Sequence, residues 1–167
     1  LNKYNRKIIY MKTGIFLSYK GLGSNLLHLS YCHEIAKKFG PVSLITLNSK
    51  LNEVLSDDPN FKEVICLEEF HKKLKDVFKL SKFLKTLDLK NLFIFYPSLR
   101  YLLSGKIAGI ENIYHYPLFK KKNLHLVKTA KIFTEKCLNI KECPTEAKIF
   151  VDSKKIKKSE KNNFKKI

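Results

Sequence analysis

Two short stretches of this chain carry the side chains able to do chemistry. The first is Lys20-Gly21-Leu22-Gly23-Ser24-Asn25, with His28 one helical turn beyond Ser24. Glycines at such a place permit positive φ and close backbone approach, and the free N–H groups of a starting helix favour an anion or a carbohydrate oxygen. The stretch therefore reads as a binding loop, or as a tight turn in which Gly21 and Gly23 only reverse the chain and Ser24 caps the helix. His28 shares a helix face with Ser24 and has the pKa of a proton acceptor. It also sits above Cys32 and Ile35 on the apolar face, where a packing histidine would stand. The second stretch is Tyr96-Pro97-Ser98-Leu99-Arg100, in which Ser98 and Arg100 follow a hydrophobic run; a guanidinium there can hold a phosphate or carboxylate with two hydrogen bonds, or pair with a helix terminus or a surface acid.

Several chemistries are excluded by spacing. GLGSNL lacks the third glycine of the dinucleotide fingerprint, and about 20 residues further on stand Ser43 and Leu44 rather than a ribose-binding acid. No Gly-Lys-Ser/Thr follows at P-loop spacing. Cys32, Cys66, Cys137 and Cys143 match no zinc or redox pattern, so they read as reduced packing residues, and no metal is expected.

These stretches need elements to hold them in place. Thr13 to Ser18 reads as a buried strand, and Leu26 to Phe39 as a helix with Leu29, Cys32, Ile35, Ala36 and Phe39 on its inner face, stopped by Gly40-Pro41. Strand Pro41 to Leu47, short helix Lys50 to Leu55, strand Val64 to Leu67 and a long helix marked by Phe70, Leu74, Val77, Phe78, Leu84 and Leu87 follow. Strand Leu92 to Phe95, a helix reaching Gly109, strand Asn112 to Tyr114 and a helix through Leu126, Ala130, Phe133 and Cys137 complete the pattern. Strands alternating with helices require crossover connections, which gives an α/β, Rossmann-like parallel sheet with helices on both faces. Ligands in such sheets bind at the carboxyl ends of the strands, where both stretches fall.

The 167 residues suffice for one domain. Residues 1–10 precede the single methionine, Met11, and read as an upstream extension; 11–150 form the domain; and 151–167, with seven Lys in the last 14 residues, read as a linker. No apolar run approaches the roughly 20 residues of a membrane span, and no signal peptide is visible, so a cytoplasmic setting is expected. The net charge of +18 invites a nucleic-acid reading. That reading is set aside because the lysines spread over polar helix faces and the aromatics Phe70, Phe78 and Phe133 stand at core spacing rather than on a base-stacking strand. Attraction to an anionic membrane surface or anionic substrate remains.

The order of these motifs resembles the opening half of the family 9 glycosyltransferases, the heptosyltransferases of lipopolysaccharide synthesis. GLGSNLLHLSYCHEIAKKFGPVSLIT is similar to that family's strand, Gly-hydrophobic-Gly-Asp loop and helix, and Tyr96 to Arg100, KIAGIENIYHY and the stretch around Asn123-Leu124-His125 continue the similarity over about residues 13–145. The resemblance implies the N-terminal lobe of a glycosyltransferase-B fold, which binds the acceptor, with a nucleotide-sugar donor bound mainly by a C-terminal lobe and no other cofactor. It implies inverting, metal-independent transfer to a lipopolysaccharide or other surface glycan at the inner face of the cytoplasmic membrane. The family's loop acid, which acts as base, falls on Ser24, whose hydroxyl needs an activating partner. Glu34 is most of three turns away, which leaves His28 as the substitute in reach. The acceptor would be held by Lys20, Gly21, Gly23, Asn25, Ser98, Arg100, Tyr116 and Lys120, within a basic, aromatic rim that includes His115, Lys121 and Lys122. The reading from residues alone leaves open a free-standing Rossmann-like module that binds an anionic ligand or sugar phosphate without transferase activity.

Overall fold

In the computed structural model, residues 11–67, 75–117 and 125–150 are described. Five strands, β1 (Thr13–Leu17), β2 (Val42–Thr46), β3 (Phe61–Cys66), β4 (Asn91–Ile94) and β5 (Asn112–His115), form one sheet in the order β3-β2-β1-β4-β5. Every neighbouring pair is parallel, with Ile15 opposite both Leu44 and Phe93. The inner strands β1, β2 and β4 are buried along their whole length, as a sheet covered on both faces demands. Edge strand β3 begins at Phe61, three residues before the expected Val64; the two consecutive exposed residues Lys62 and Glu63, the latter accepting from Ser43 Oγ of β2 at 2.7 Å, hide its alternation in the sequence.

Helices α1 (Leu22–Leu26), α2 (Leu29–Phe39), α3 (Lys50–Val54), α4 (Lys75–Thr86), α5 (Leu99–Ile107) and α6 (Leu126–Leu138) connect and flank the sheet. Leu29, Cys32 and Ile35 of α2 pack with Ala130 and Phe133 of α6 on one face, against Ile15, Leu44 and Phe93. Leu80 and Leu84 of α4 pack with Tyr101 and Ala108 beside α5 on the other, against Phe16, Ile45 and Ile94. The expected α/β class and the placement of helices on both faces are found.

Three local features differ from expectation. The helix foreseen over Leu26 to Phe39 starts at Leu29, and the loop before it holds a short helix of its own, Leu22–Leu26, with a turn at Leu27 and His28 between the two, where His28 N–H donates to the Asn25 carbonyl at 3.0 Å. Phe78, placed in the core by its spacing, is 62% exposed on the outer side of α4, whereas Phe133 is buried as foreseen. Gly40 and Gly109, with Asp88 and Asn139, take positive φ values among the described residues; Gly21, at φ −72°, does not. Phe70, Leu74, Lys120, Lys121, Lys122, Asn123, Leu124 and residues 1–10 and 151–167 lie outside the described residues. All four cysteines are free thiols. Among the described residues no helix is long and apolar enough to cross a membrane, and no three His, Cys, Asp or Glu side chains cluster as metal ligands would.

Candidate functional site

The chain runs outward from β1 to β2 and β3, then returns to the other side of β1 for β4 and β5. At that reversal the loops leaving β1 and β4 part in opposite directions and leave a crevice between them. Residues 18–21 and 95–98 form its two walls.

The walls are tied by tyrosines. Tyr19 Oη donates to the Phe95 carbonyl at 2.9 Å, linking the first loop to the second. Burial, with the Tyr96 phenol adding to it, pushes the Tyr19 hydroxyl up to about 12, so it stays protonated and remains a donor. Tyr96 meets Tyr19 edge-on at 5.9 Å and is 38% exposed. Ser18 Oγ and Tyr101 Oη lie 2.7 Å apart, joining the end of β1 to the first turn of α5. Ser98 is the N-cap of α5 but its side chain makes no capping bond, and half-buried Arg100 occupies the second position of that helix.

The glycine loop is organised by Asn25. Its Nδ2 donates to the carbonyls of Tyr19 at 2.9 Å and Gly21 at 2.7 Å, while its Oδ1 accepts from Thr46 Oγ1 at 3.1 Å. Asn48 Nδ2 adds a bond to the Lys20 carbonyl at 2.5 Å. The loop is thereby stapled to the end of β2. Asn25 is 0% exposed, with both amide N–H groups donating and its oxygen accepting within the protein, so in this structure it shapes the loop from inside.

Ser24 lies inside α1 rather than capping it; the N-cap is Gly21. Ser24 is half-buried, and its carbonyl accepts from His28 Nδ1 at 2.6 Å. A carbonyl only accepts, so Nδ1 carries the proton and Nε2 is left to accept from Tyr116 Oη at 3.3 Å. The imidazole stacks on Tyr19 at 4.8 Å and meets Phe95 edge-on at 5.2 Å. Burial lowers the pKa of His28, an effect the Ser24 carbonyl partly offsets. Fully buried, neutral and hydrogen-bonded at both nitrogens, His28 has the geometry of a packing histidine, and its ring has no open path to a reacting hydroxyl. Tyr116, expected on the acceptor rim, is 4% exposed, raised in pKa first by burial, and points its hydroxyl at His28 in the same interior cluster. His115 is half-buried and donates from Nδ1 to the Tyr116 carbonyl at 2.7 Å.

Lys20, Gly21 and Gly23 are exposed or nearly so at the crevice mouth. A Cβ on Gly23 would meet nothing within 4 Å, so this glycine leaves open space above the loop rather than relieving a clash. With only five residues, α1 contributes little of the N-terminal field expected of the loop. The structure thus brings Ser18, Tyr19, Tyr96, Arg100 and Tyr101 to one crevice, leaves Ser98 buried at 8% exposed at the start of α5, and withdraws Asn25, His28 and Tyr116 into the wall behind it. Ser18, Tyr19 and Tyr101 were not singled out from sequence; their signal was position, at a strand's carboxyl end and one turn beyond Ser98.

The arrangement defines a doubly wound Rossmann-like domain with a tyrosine-rich, hydroxyl-lined crevice at its topological switch point. Its likeness to solved structures is more particular. The glycosyl transferase family 9 structure from Veillonella parvula superposes with a TM-score of 0.61 at 14% identity, covering 95% of this chain and 51% of that one. The E. coli ADP-heptose lps heptosyltransferase II gives a TM-score of 0.56 at 16% identity, covering 92% and 50%. The chain spans about half the length of each, and shares the fold of that half. No protein-family model matches the chain, and no curated protein matches its sequence.

Proposed function

We propose that this chain is the acceptor-binding half of an inverting, metal-independent glycosyltransferase of the heptosyltransferase type, moving a sugar from a nucleotide-sugar donor to a lipopolysaccharide or other surface glycan on the cytoplasmic side of the membrane. The observation that carries the reading is the match of nearly the whole chain to about half of a family 9 structure, with the crevice at the switch point of the matched sheet. In such a reaction the acceptor hydroxyl attacks the anomeric carbon, loses its proton to a base, and the nucleoside diphosphate leaves.

The crevice suits the acceptor. The exposed Tyr96 ring offers an apolar face to a sugar ring, half-buried Ser18 offers a hydroxyl, and Lys20 and Arg100 offer charge to an acceptor phosphate. Ser24 stands where the family's acid falls, and a serine hydroxyl does not take a proton at neutral pH unaided. His28 is sealed behind Tyr19 and Tyr116 and does not activate it. This half by itself therefore binds acceptor without turnover.

The test is an equilibrium titration of the chain with a phosphorylated lipopolysaccharide core oligosaccharide and, separately, with a nucleotide sugar. The oligosaccharide should bind and the nucleotide sugar should not, and Arg100→Ala should weaken the oligosaccharide by about tenfold or more, the scale of a charge-assisted contact. Preference for the nucleotide sugar, or an Arg100→Ala variant that binds as before, would sink the assignment.

A further inference from the structure

α4 and α5 lie side by side on one face of the sheet, joined where Ser104 Oγ donates to the Val77 carbonyl at 3.1 Å. Their inner sides bury Val77, Leu80 and Leu84 of α4 and Ser104 and Gly105 of α5. Residues four apart on a helix stand in one row. In α5 that row is Leu99, Leu103 and Ile107, and it points outward, at 54%, 38% and 51% exposed. Phe78 follows Val77 on the adjoining helix and is 62% exposed. None of the four belongs to either core cluster or to the residues packed against one.

The setting of this row is cationic. Among the residues whose side chains are described, α4 and α5 together carry Lys79, Lys82, Lys85, Arg100 and Lys106 against a single acid, Asp76. At the opposite end of the sheet the charges are balanced, Lys12 with Asp88 and Lys90 with Glu111. Within a chain of net charge +18, the apolar row therefore lies where cations outnumber acids most plainly between two neighbouring helices. Apolar side chains flanked by lysines match an anionic bilayer surface. Leu, Ile and Phe enter the acyl boundary, and lysines extend their stems across it to reach the headgroups.

We propose that the outer face of α4 and α5 is a docking surface for an anionic lipid bilayer. The row starts at Leu99, directly after the Ser98 that closes the crevice wall, so docking sets the crevice mouth at the edge of the lipid surface. The proposal stands on these side chains and does not depend on the transferase reading.

The experiment is co-sedimentation of the full chain with vesicles of phosphatidylglycerol and phosphatidylcholine mixed, and with vesicles of phosphatidylcholine alone. The decisive variant is Phe78→Ser, Leu103→Ser, Ile107→Ser combined, which leaves every charge in place and alters exposed positions; its fold is verified by urea denaturation. The unaltered chain should sediment with the mixed vesicles and not with phosphatidylcholine, and the triple variant should lose more than about tenfold in partitioning, since apolar burial supplies part of interfacial affinity. A triple variant that binds as well as the parent would place the attraction elsewhere, as in the lysines of residues 151–167, and would overturn the proposal. So would a parent chain that ignores the anionic vesicles, or one that self-associates through this face and loses that association in the variant.

Discussion

Replacing Asn25 by Ala strikes at the residue on which the shape of the crevice depends most. The side chain is 0% exposed and makes three hydrogen bonds, two to the Tyr19 and Gly21 carbonyls and one from Thr46 Oγ1. Truncation leaves those groups buried without their partner, and each such orphan costs about 1–3 kcal/mol. Some of the loss is recovered, because Gly21 O also accepts weakly from the Asn25 N–H at 3.4 Å and Thr46 Oγ1 also accepts from the Asn48 N–H at 3.1 Å. A net loss of about 3–5 kcal/mol follows, which for a domain of this size corresponds to roughly 6–20 °C in Tm at about 2–4 °C per kcal/mol. Asn25→Asp sharpens the test: it keeps the shape but sets a carboxylate oxygen against two carbonyls, so it should destabilise at least as much. Thr46→Val should cost about 1 kcal/mol, and combined with Asn25→Ala should add less than its separate effect, since both remove the same bond. Thermal unfolding by circular dichroism measures all four. An Asn25→Ala Tm within about 2 °C of the parent, no more than the shift from a single orphaned group, would mean that the loop is not held by this amide.

Three further outcomes follow from the same geometry. His28 is held neutral with its pKa lowered by burial, so the unfolded chain takes up a proton that the folded chain refuses; stability is full above the unfolded value of about 6.5 and declines as pH falls below it, and His28→Gln should remove that share of the decline in urea midpoints measured from pH 7.5 to 5. A Cβ on Gly14 would lie 2.5 Å from Leu89 Cδ1 inside the central strand, so Gly14→Val should cost about 1–3 kcal/mol by urea denaturation, and a neutral result would mean that Leu89 swings aside freely. Tyr19→Phe removes the bond to the Phe95 carbonyl but keeps the stack on His28, and should cost about 1–2 kcal/mol; no change would show that the edge contact with Tyr96 and the Ser18–Tyr101 bond join the two walls without it.

The fold was legible where neighbours in sequence settle it. Runs such as Thr13 to Leu17 and Val42 to Thr46 bury every side chain, and their alternation with amphipathic helices forced a parallel sheet. The site was legible only in outline, because its polar residues are assigned by partners far along the chain. Asn25 looks like a loop residue until Thr46 is seen to donate to it, and His28 looks like a base until Tyr116, 88 residues away, caps its free nitrogen. The break between α1 and α2 was hidden for a local reason: Leu22, Leu26 and Leu29 keep a helical rhythm across the turn at Leu27 and His28. Phe78 was misplaced because its rhythm fits the core, and a hydrophobic residue on the outer side of a helix carries no mark of it in sequence.

The strand order has a consequence for synthesis. The first three strands to emerge assemble as β3-β2-β1, and β1, the apolar Thr13–Leu17, is the open edge of that half-sheet until β4 arrives beside it. The roughly 25 residues from Cys66 to Asn91 take about 1–5 s to translate at ordinary rates. During that interval the nascent chain presents an unpaired strand with no charged side chain to deter pairing with another chain. The reversal of direction that creates the crevice therefore also sets a window of aggregation risk, and slower translation between β3 and β4 should lengthen it.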